Sequence, residues 1–414
     1  MGTASTMACI TAALGLMSLR GATAPAVSSL RLRIAEETGR NAVFVAAAKR
    51  TLQTLLTKSS FHNAFTVLQA VGGSTNAIVH LMAIINRHPT LQGQITLADF
   101  DAIGRTTPLL VDLKPSGDNY MTDFHNAGGM LALLHTLRPL LHLDAMTITG
   151  ATLGEVLDNN PFRNFEYSTQ IIRPLNNPLY RNSSLVVLRG NIAPNGAIMK
   201  ASASKDYRLL SHSGPAVVFE NSADLAQRID DPNLVVTKDS VLVLKSVGPV
   251  GNPGMPEAGM IPIPRKLAEQ GVTDMLRLSD GRMSGTAGGS IVLHIAPEAA
   301  QKRSVFGVVR TGDIIKCDVE KRMLELELND EEIRTRLETR AKYIASEEGL
   351  KNGAGVLAQR EKRRGYRGLY ERCVNQAHEG ADFDFLTANG PREEKGLWVD
   401  PSEYSLPRTS GCRH

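Results

Sequence analysis

The chain has 414 residues, 42% of them hydrophobic and 21% charged, with 46 basic against 42 acidic side chains mixed along its length. A net charge of +4 without a clustered basic face excludes a nucleic-acid footprint, and no apolar run approaches the ~20 residues of a membrane span. The length suffices for about two to three domains, and four scattered cysteines (Cys9, Cys317, Cys373 and Cys412) form no CxxC pair. That spacing argues against a disulfide framework and points to a reducing compartment, cytoplasmic or mitochondrial.

The opening "MGTASTMACITAALGLMSL" runs at once into an apolar, helix-like pattern. It carries no basic residue before Arg20, so it is not a secretory signal. Met1, Gly2 and Thr6 fit the myristoylation pattern, which is short and of low information. From Ala42 to about Ile85 apolar residues recur at three and four, as in Phe44, Ala47, Leu52 and Leu55. "VGGSTNA" breaks that run before "IVHLMAII", where Ser74, Thr75 and Asn76 are placed to cap the following helix. His80 reads as a core histidine, and Lys114 before Pro115 as an anion contact or a solvated side chain. A helix entered at Thr96 with Asp99 in its first turn follows, and small residues Ala127, Gly128 and Gly129 open another.

The texture changes near Arg173. "SSLVVLRGNIAPNGAIM", "GPAVVFEN", "NLVVTKDSVLVLKSVGP", "SVFGVVRTGDIIKCDV" and "RMLELEL" are short β-branched runs bounded by turn residues, the pattern of a barrel or sandwich. Two polar amphipathic helices close the chain. "IIRPLNNPLY" marks a boundary, which divides the chain into residues 1–172 and 173–414.

Two stretches can carry chemistry. "GPVGNPGMPEAGMIPIP" packs glycines and prolines around Glu257, so the loop can present one carboxylate rigidly as a metal ligand or base. A β-corner with a solvated glutamate accounts for the same residues. "RLSDGRMSGTAGGSIVLHIAPEAA" places Ser284 between Met283 and Gly285, where backbone N–H groups can face an anion. Arg282 and Thr286 stand where a G-x-S-x-G elbow needs glycine, and no Gly-Lys-Ser/Thr follows, so neither a nucleophile elbow nor a P-loop is present. An ordinary serine in a strand–helix turn is the plain alternative.

The blocks "GGSTNA", "DLKPSG", "GN-AP-GA", "GPVGNPGMPE" and "DGRMSGTAGG...LHIAPEAA" occur in an order that resembles the dihydroxy-acid and 6-phosphogluconate dehydratases across nearly the whole chain. "GMPEAGMIPIPRKL", "RMSGTA" and "QAHEGADFDFL" are most similar to its sugar-acid branch, the arabonate and xylonate dehydratases. The resemblance implies an α/β fold: the remainder of an α/β/α N-terminal domain, then a β-barrel-like C-terminal domain with peripheral helices. It implies a hydro-lyase that converts a 2,3-dihydroxy acid to a 2-keto-3-deoxy acid with Mg²⁺ and a [2Fe-2S] or [4Fe-4S] cluster, whose open iron assists departure of the C3 hydroxyl. It makes Ser284 the base that takes the C2 proton and Glu257 a Mg²⁺ ligand. Gly285 and Thr286, and more weakly Ser74, Thr75 and Asn76, then bind substrate. The branch usually carries alanine and a bulky aromatic where Gly281 and Gly288 stand, so a looser loop and a larger pocket are expected here.

In that branch "MGTASTM" follows a cluster cysteine closely, so the resemblance places the cluster cysteines and the remaining Mg²⁺ ligands, a modified lysine among them, before residue 1. No cluster ligand is expected among the four cysteines present. The implied partners are a small sugar acid and further copies of the chain, as homodimer or homotetramer, with no nucleic acid and no membrane. Two alternatives stay open: a truncated pseudoenzyme or partner subunit without the cluster, and a dihydroxy-acid dehydratase of branched-chain amino-acid synthesis.

Overall fold

The computed structural model describes residues 1–346 and 364–389. Cys412 and the tail of the second segment lie outside the described residues, as do the ends of both closing helices read from the sequence. Residues 1–172 hold ten helices: α1 (Thr3–Ala13), α2 (Ser29–Ala47), α3 (Leu52–Leu55), α4 (Lys58–Ala70), α5 (Asn76–Arg87), α6 (Leu97–Thr106), α7 (Met121–Asn126), α8 (Gly129–Leu137), α9 (Leu153–Asp158) and α10 (Glu166–Ile171). No strand lies in this half, only isolated bridges, which corrects the expected α/β/α layering here. Helix α4 is its centre: Phe61, Phe65 and Leu68 are fully buried, and Phe65 meets Phe100 of α6 edge to face at 5.3 Å. The apolar run from Ala42 is not all core. Phe44 and Leu52 are exposed, and Ile34 is the one buried residue of α2.

The second half carries β1 (Val186–Leu188), β2 (Gly196–Met199), β3 (Ser211–Phe219), β4 (Val241–Leu244), β5 (Arg277–Ser279), β6 (Ile291–Ala296), β7 (Ile314–Asp318) and β8 (Met323–Leu326). Their order is β1-β2-β6-β5-β4-β3-β7-β8, with β3 to β6 mutually parallel and the outer pairs antiparallel. A bridge between Arg189 and Met323 brings β1 back to β8, so the sheet is a nearly closed mixed barrel. Strand β4 is buried at all four residues because alternate side chains serve two cores. Val241 and Val243 face the interior with Val218, Leu278 and Phe306; Leu242 and Leu244 pack outward with Phe219, Leu225 and Leu267. Those outer partners come from β3, α11 (Ser222–Arg228) and α12 (Arg265–Ala268), while α13 (Asp330–Ala345) and α14 (Gly365–Cys373) are peripheral.

Buried polar groups join the halves. Gln69 of α4 donates from Nε2 to Leu185 O at 2.8 Å and accepts from Leu185 N–H at 3.0 Å. Asp101 of α6 pairs with Arg322 at 2.8 Å, whose other arm donates to Ser183 Oγ at 2.8 Å. Because this seam is satisfied on both sides, the helical half can present residues to the barrel at fixed distances.

Candidate active site

Strands β4 and β5 are parallel neighbours, and each runs at its C-terminal end into a long loop. The loop after β4 carries Glu257; the loop after β5 carries Ser284. The second is a strand–loop–strand connection into β6 rather than the strand–helix turn expected from sequence. Asp280 ties the two together at their roots, accepting N–H bonds from Val247 (3.0 Å), Ser246 (3.2 Å) and Ala299 (2.8 Å). Glu298 holds the first loop further along through Val250 and Gly251 N–H. Burial, with Glu298 nearby, pushes the Asp280 carboxyl up to about 7. The far end of the Ser284 loop is pinned by Asp274, which accepts from Ser290 N–H at 2.9 Å and pairs with buried Arg277.

The helical half supplies the third wall. Asn76, the first residue of α5, donates from Nδ2 to Glu257 Oε1 at 2.6 Å, to Met283 O at 3.1 Å and to Thr3 Oγ1 at 3.0 Å. One amide thus joins residues 181 and 207 positions away, and one of its partners precedes Ser284 directly. Ser74 Oγ shares a hydrogen bond with Thr3 Oγ1 at 3.0 Å and accepts the Asn76 N–H at 3.2 Å. Of the three residues expected to cap the helix, Ser74 does so, while Thr75 occupies the cap position without a side-chain bond. Thr75 is buried and touches neither Ser284 nor Glu257 through any hydrogen bond. Gly285 lies against Ser74 so closely that a Cβ there would stand 2.6 Å from Ser74 Cβ. Ser284 Oγ shares a 2.9 Å hydrogen bond with Thr286 Oγ1 and accepts the Thr286 N–H at 3.4 Å.

Two expectations change. A Cβ on Gly281 would meet Val247 Cγ2 at 2.7 Å, so glycine at 281 closes the loop onto its neighbour instead of loosening it. At Gly288 a Cβ would make ordinary contact with Pro115 Cβ at 3.4 Å and Ala203 O at 3.8 Å. His80 is not a core histidine but a half-buried one beside the site. Burial and Arg282 push it below its ordinary value, and Glu257 pulls it back up. Lys114 is exposed, donating to Tyr120 Oη at 2.8 Å.

Three site residues left no signal in the sequence. Arg282 donates from Nε to Met255 O at 2.5 Å and so links the two loops. His294 sits at a bulge in β6: Gly196 and Ile198 of β2 pair with Ala296 and Leu293, leaving one extra residue, and His294 takes φ +56. Neither ring nitrogen is hydrogen-bonded, and burial, with Arg282 and His80 nearby, pushes the ring down to about 3. Lys200, which follows β2, is the third: its buried Nζ has no hydrogen-bond partner among the described residues.

Among the described residues no three His, Cys, Asp or Glu side chains converge on one point. Cys9 and Cys317 belong to two different apolar clusters, where burial pushes both thiols up to about 12, and Cys373 is on peripheral α14. These residues do not fit an iron–sulfur cluster, which needs converging thiolates. Glu257 does fit Mg²⁺ as one oxygen donor, beside the unpaired buried Oδ1 of Asn76. No helix among the described residues is long and apolar enough to cross a membrane.

Residues 1–156 match the dihydroxy-acid/6-phosphogluconate dehydratase N-terminal family, and residues 170–381 match its C-terminal counterpart. The chain is 43% identical to the L-arabonate dehydratase of Azospirillum brasilense over 92% of its own length and 62% of the relative's. It is 42% identical to the 6-deoxy-6-sulfo-D-gluconate dehydratase of Pseudomonas putida (94% and 63%) and 35% identical to dihydroxy-acid dehydratase 1 of Methanosarcina acetivorans (93% and 65%). The chain spans less than two thirds of the length of each of these relatives.

Proposed function

The chain belongs to the dihydroxy-acid/6-phosphogluconate dehydratase family, and from that premise we propose that its Ser284–Glu257 site serves the dehydration of a small 2,3-dihydroxy acid, a sugar acid in preference to the branched-chain precursor. The observation that carries this reading is the Asn76 amide, which bonds Glu257 and the residue before Ser284 at once. It ties the loop of the candidate metal-ligating carboxylate to the loop of the candidate base. Identities of 39–43% to relatives named for sugar acids, against 35–38% for dihydroxy-acid dehydratases, support the sugar-acid substrate.

In this mechanism the ionised Ser284 Oγ takes the C2 proton as the C3–O bond breaks. The departing hydroxyl takes that proton back from the serine and leaves as water, and the enol shifts its C2 hydroxyl proton through solvent to C3 to give a 2-keto-3-deoxy acid. Thr286 orients the serine through their shared hydrogen bond, and the tight Gly285–Ser74 contact fixes the loop. Glu257 would hold Mg²⁺, which when bound polarises the oxygens of the acid it receives. No step is drawn through an iron–sulfur cluster, since the described residues do not fit one. The second reading is a cluster-free pseudoenzyme or partner subunit that binds the acid. We extend the proposal to a homodimer or homotetramer, with exposed Leu32, Val43 and Phe44 of α2 as the surface that favours it.

The test is a 2-keto acid assay on the chain reconstituted anaerobically with iron, sulfide and Mg²⁺, given L-arabonate, D-xylonate or 2,3-dihydroxyisovalerate, with sedimentation of the same sample. We expect turnover of a sugar acid, lost by about 10²–10⁴-fold in Ser284→Ala. Preference for 2,3-dihydroxyisovalerate would overturn the substrate, and acid binding without product would establish the second reading.

A further inference from the structure

An unpaired cation in a protein interior is among the costliest arrangements available to a chain. Two other buried cations among the described residues are paired. Lys245, equally buried, donates to Val309 O at 2.7 Å, Glu220 Oε1 at 3.0 Å and Gly307 O at 3.3 Å. Buried Arg277 is held by Asp274 at 3.0 Å and Ile261 O at 3.1 Å. Lys200 is 7% exposed, and its Nζ has no hydrogen-bond partner among the described residues. Burial pushes it down to about 7, with no acidic neighbour to offset the effect.

Its position is specific. The turn that Lys200 begins anchors the Ser284 loop: Ala203 O accepts the Gly289 N–H at 2.8 Å, and Ser204 Oγ shares a 2.6 Å hydrogen bond with Ser290 Oγ. Ser202 Oγ meets Ser116 Oγ at 2.9 Å, which joins the same turn to the loop of Lys114 and Pro115. The amine of Met1 donates to Lys114 O at 2.6 Å and is lowered by burial and by the charge of Lys200. Met1 O in turn stands 3.2 Å from where a Gly285 Cβ would be. The ammonium therefore lies where the start of α1, the 114–116 loop and the Ser284 loop meet.

We propose that Lys200 is an anion-binding residue of this site, its ammonium taking the carboxylate of a small acid that enters beside the Ser284 loop. The dehydratase reading supplies only which acid; the anion site itself stands on the unpartnered ammonium and its surroundings.

Thermal unfolding of the full chain tests this with sodium glycolate, L-arabonate and D-xylonate as probes and L-arabinitol as neutral control. The wild type should be stabilised by an acid and not by the alcohol. Lys200→Met should weaken the acid response by about 10–100-fold, the loss expected for one charged hydrogen bond. Without ligand it should unfold no lower than wild type, because it loses a buried charge that had no partner; a purely structural lysine would lower it. As a second measurement, the Lys200 ammonium signal of nitrogen-15-labelled wild type, assigned by its loss in Lys200→Arg, should move on adding glycolate. A Lys200→Met protein that responds like wild type, or a wild type unmoved by every acid, overturns the proposal. Stabilisation by glycolate but by neither sugar acid upholds Lys200 and removes the sugar-acid reading.

Discussion

At residue scale the site depends on one contact too short for any other side chain. The 2.6 Å between Ser74 Cβ and a Cβ built on Gly285 makes Gly285→Ala an overpacking change at the residue after the candidate base. It should cost about 1–3 kcal/mol. Ser74→Gly removes the atoms it strikes, so the double variant should recover part of that loss in urea unfolding. Additive effects in the cycle would show that the two residues do not press on each other. The loops of Ser284 and Glu257 were legible because glycine and proline around a lone polar residue mark a shaped loop. Asn76 was read as a helix cap, since nothing local shows that its amide reaches residues 181 and 207 positions on. Lys200 directly follows β2 and His294 lies within β6, and their lack of hydrogen-bond partners is a property of their surroundings.

At the scale of elements, the helical half and the barrel meet through α4 and β1. Gln69→Ala would strand Leu185 N–H and O in buried surroundings, while Ser184 Oγ keeps the main-chain O of residue 69 as its acceptor at 2.7 Å. Each unsatisfied group costs about 1–3 kcal/mol. The variant should therefore unfold at lower urea, and hydrogen exchange at Leu185 should rise more than exchange within β4. Equal protection at both would show that the seam does not rest on this side chain. The strands were predictable because β-branched runs between turn residues have few alternatives. Ser284 was expected before a helix, yet "IVLHIA" continues as β6; a short apolar run looks alike in a buried helix and a buried strand. The bulge at His294 left no mark, since bulges arise from pairing between strands.

For the whole molecule, two buried groups oppose each other in pH. His294 is held to about 3 in the folded state against ~6.5 unfolded, so its contribution is full above 6.5 and is lost as pH falls toward 3. Asp280 is raised to about 7 against ~3.9 unfolded, so its contribution is full in acid and is lost as pH rises from about 4 to 7. Between about pH 4.5 and 6.5 the slopes cancel, each being about 1.4 kcal/mol per pH unit. His294→Asn should expose the Asp280 slope, with stability falling as pH rises; Asp280→Asn should expose the opposite one. Unfolding midpoints across that window check this, and parallel slopes in both variants would refute it. Asparagine is chosen at 294 because it tolerates the positive φ.

The sequence by itself determined the family, the helix-then-strand order and the two loops that carry Ser284 and Glu257, because these are written in local composition and in motifs of contiguous residues. The tertiary structure alone decided which residues from the helical half complete the site, that β1 returns to β8, that Gly281 tightens its loop, and which buried charges have no partner. Those outcomes depend on distances between segments far apart in the chain, and on what a burial site does or does not offer a polar group, neither of which a local pattern encodes.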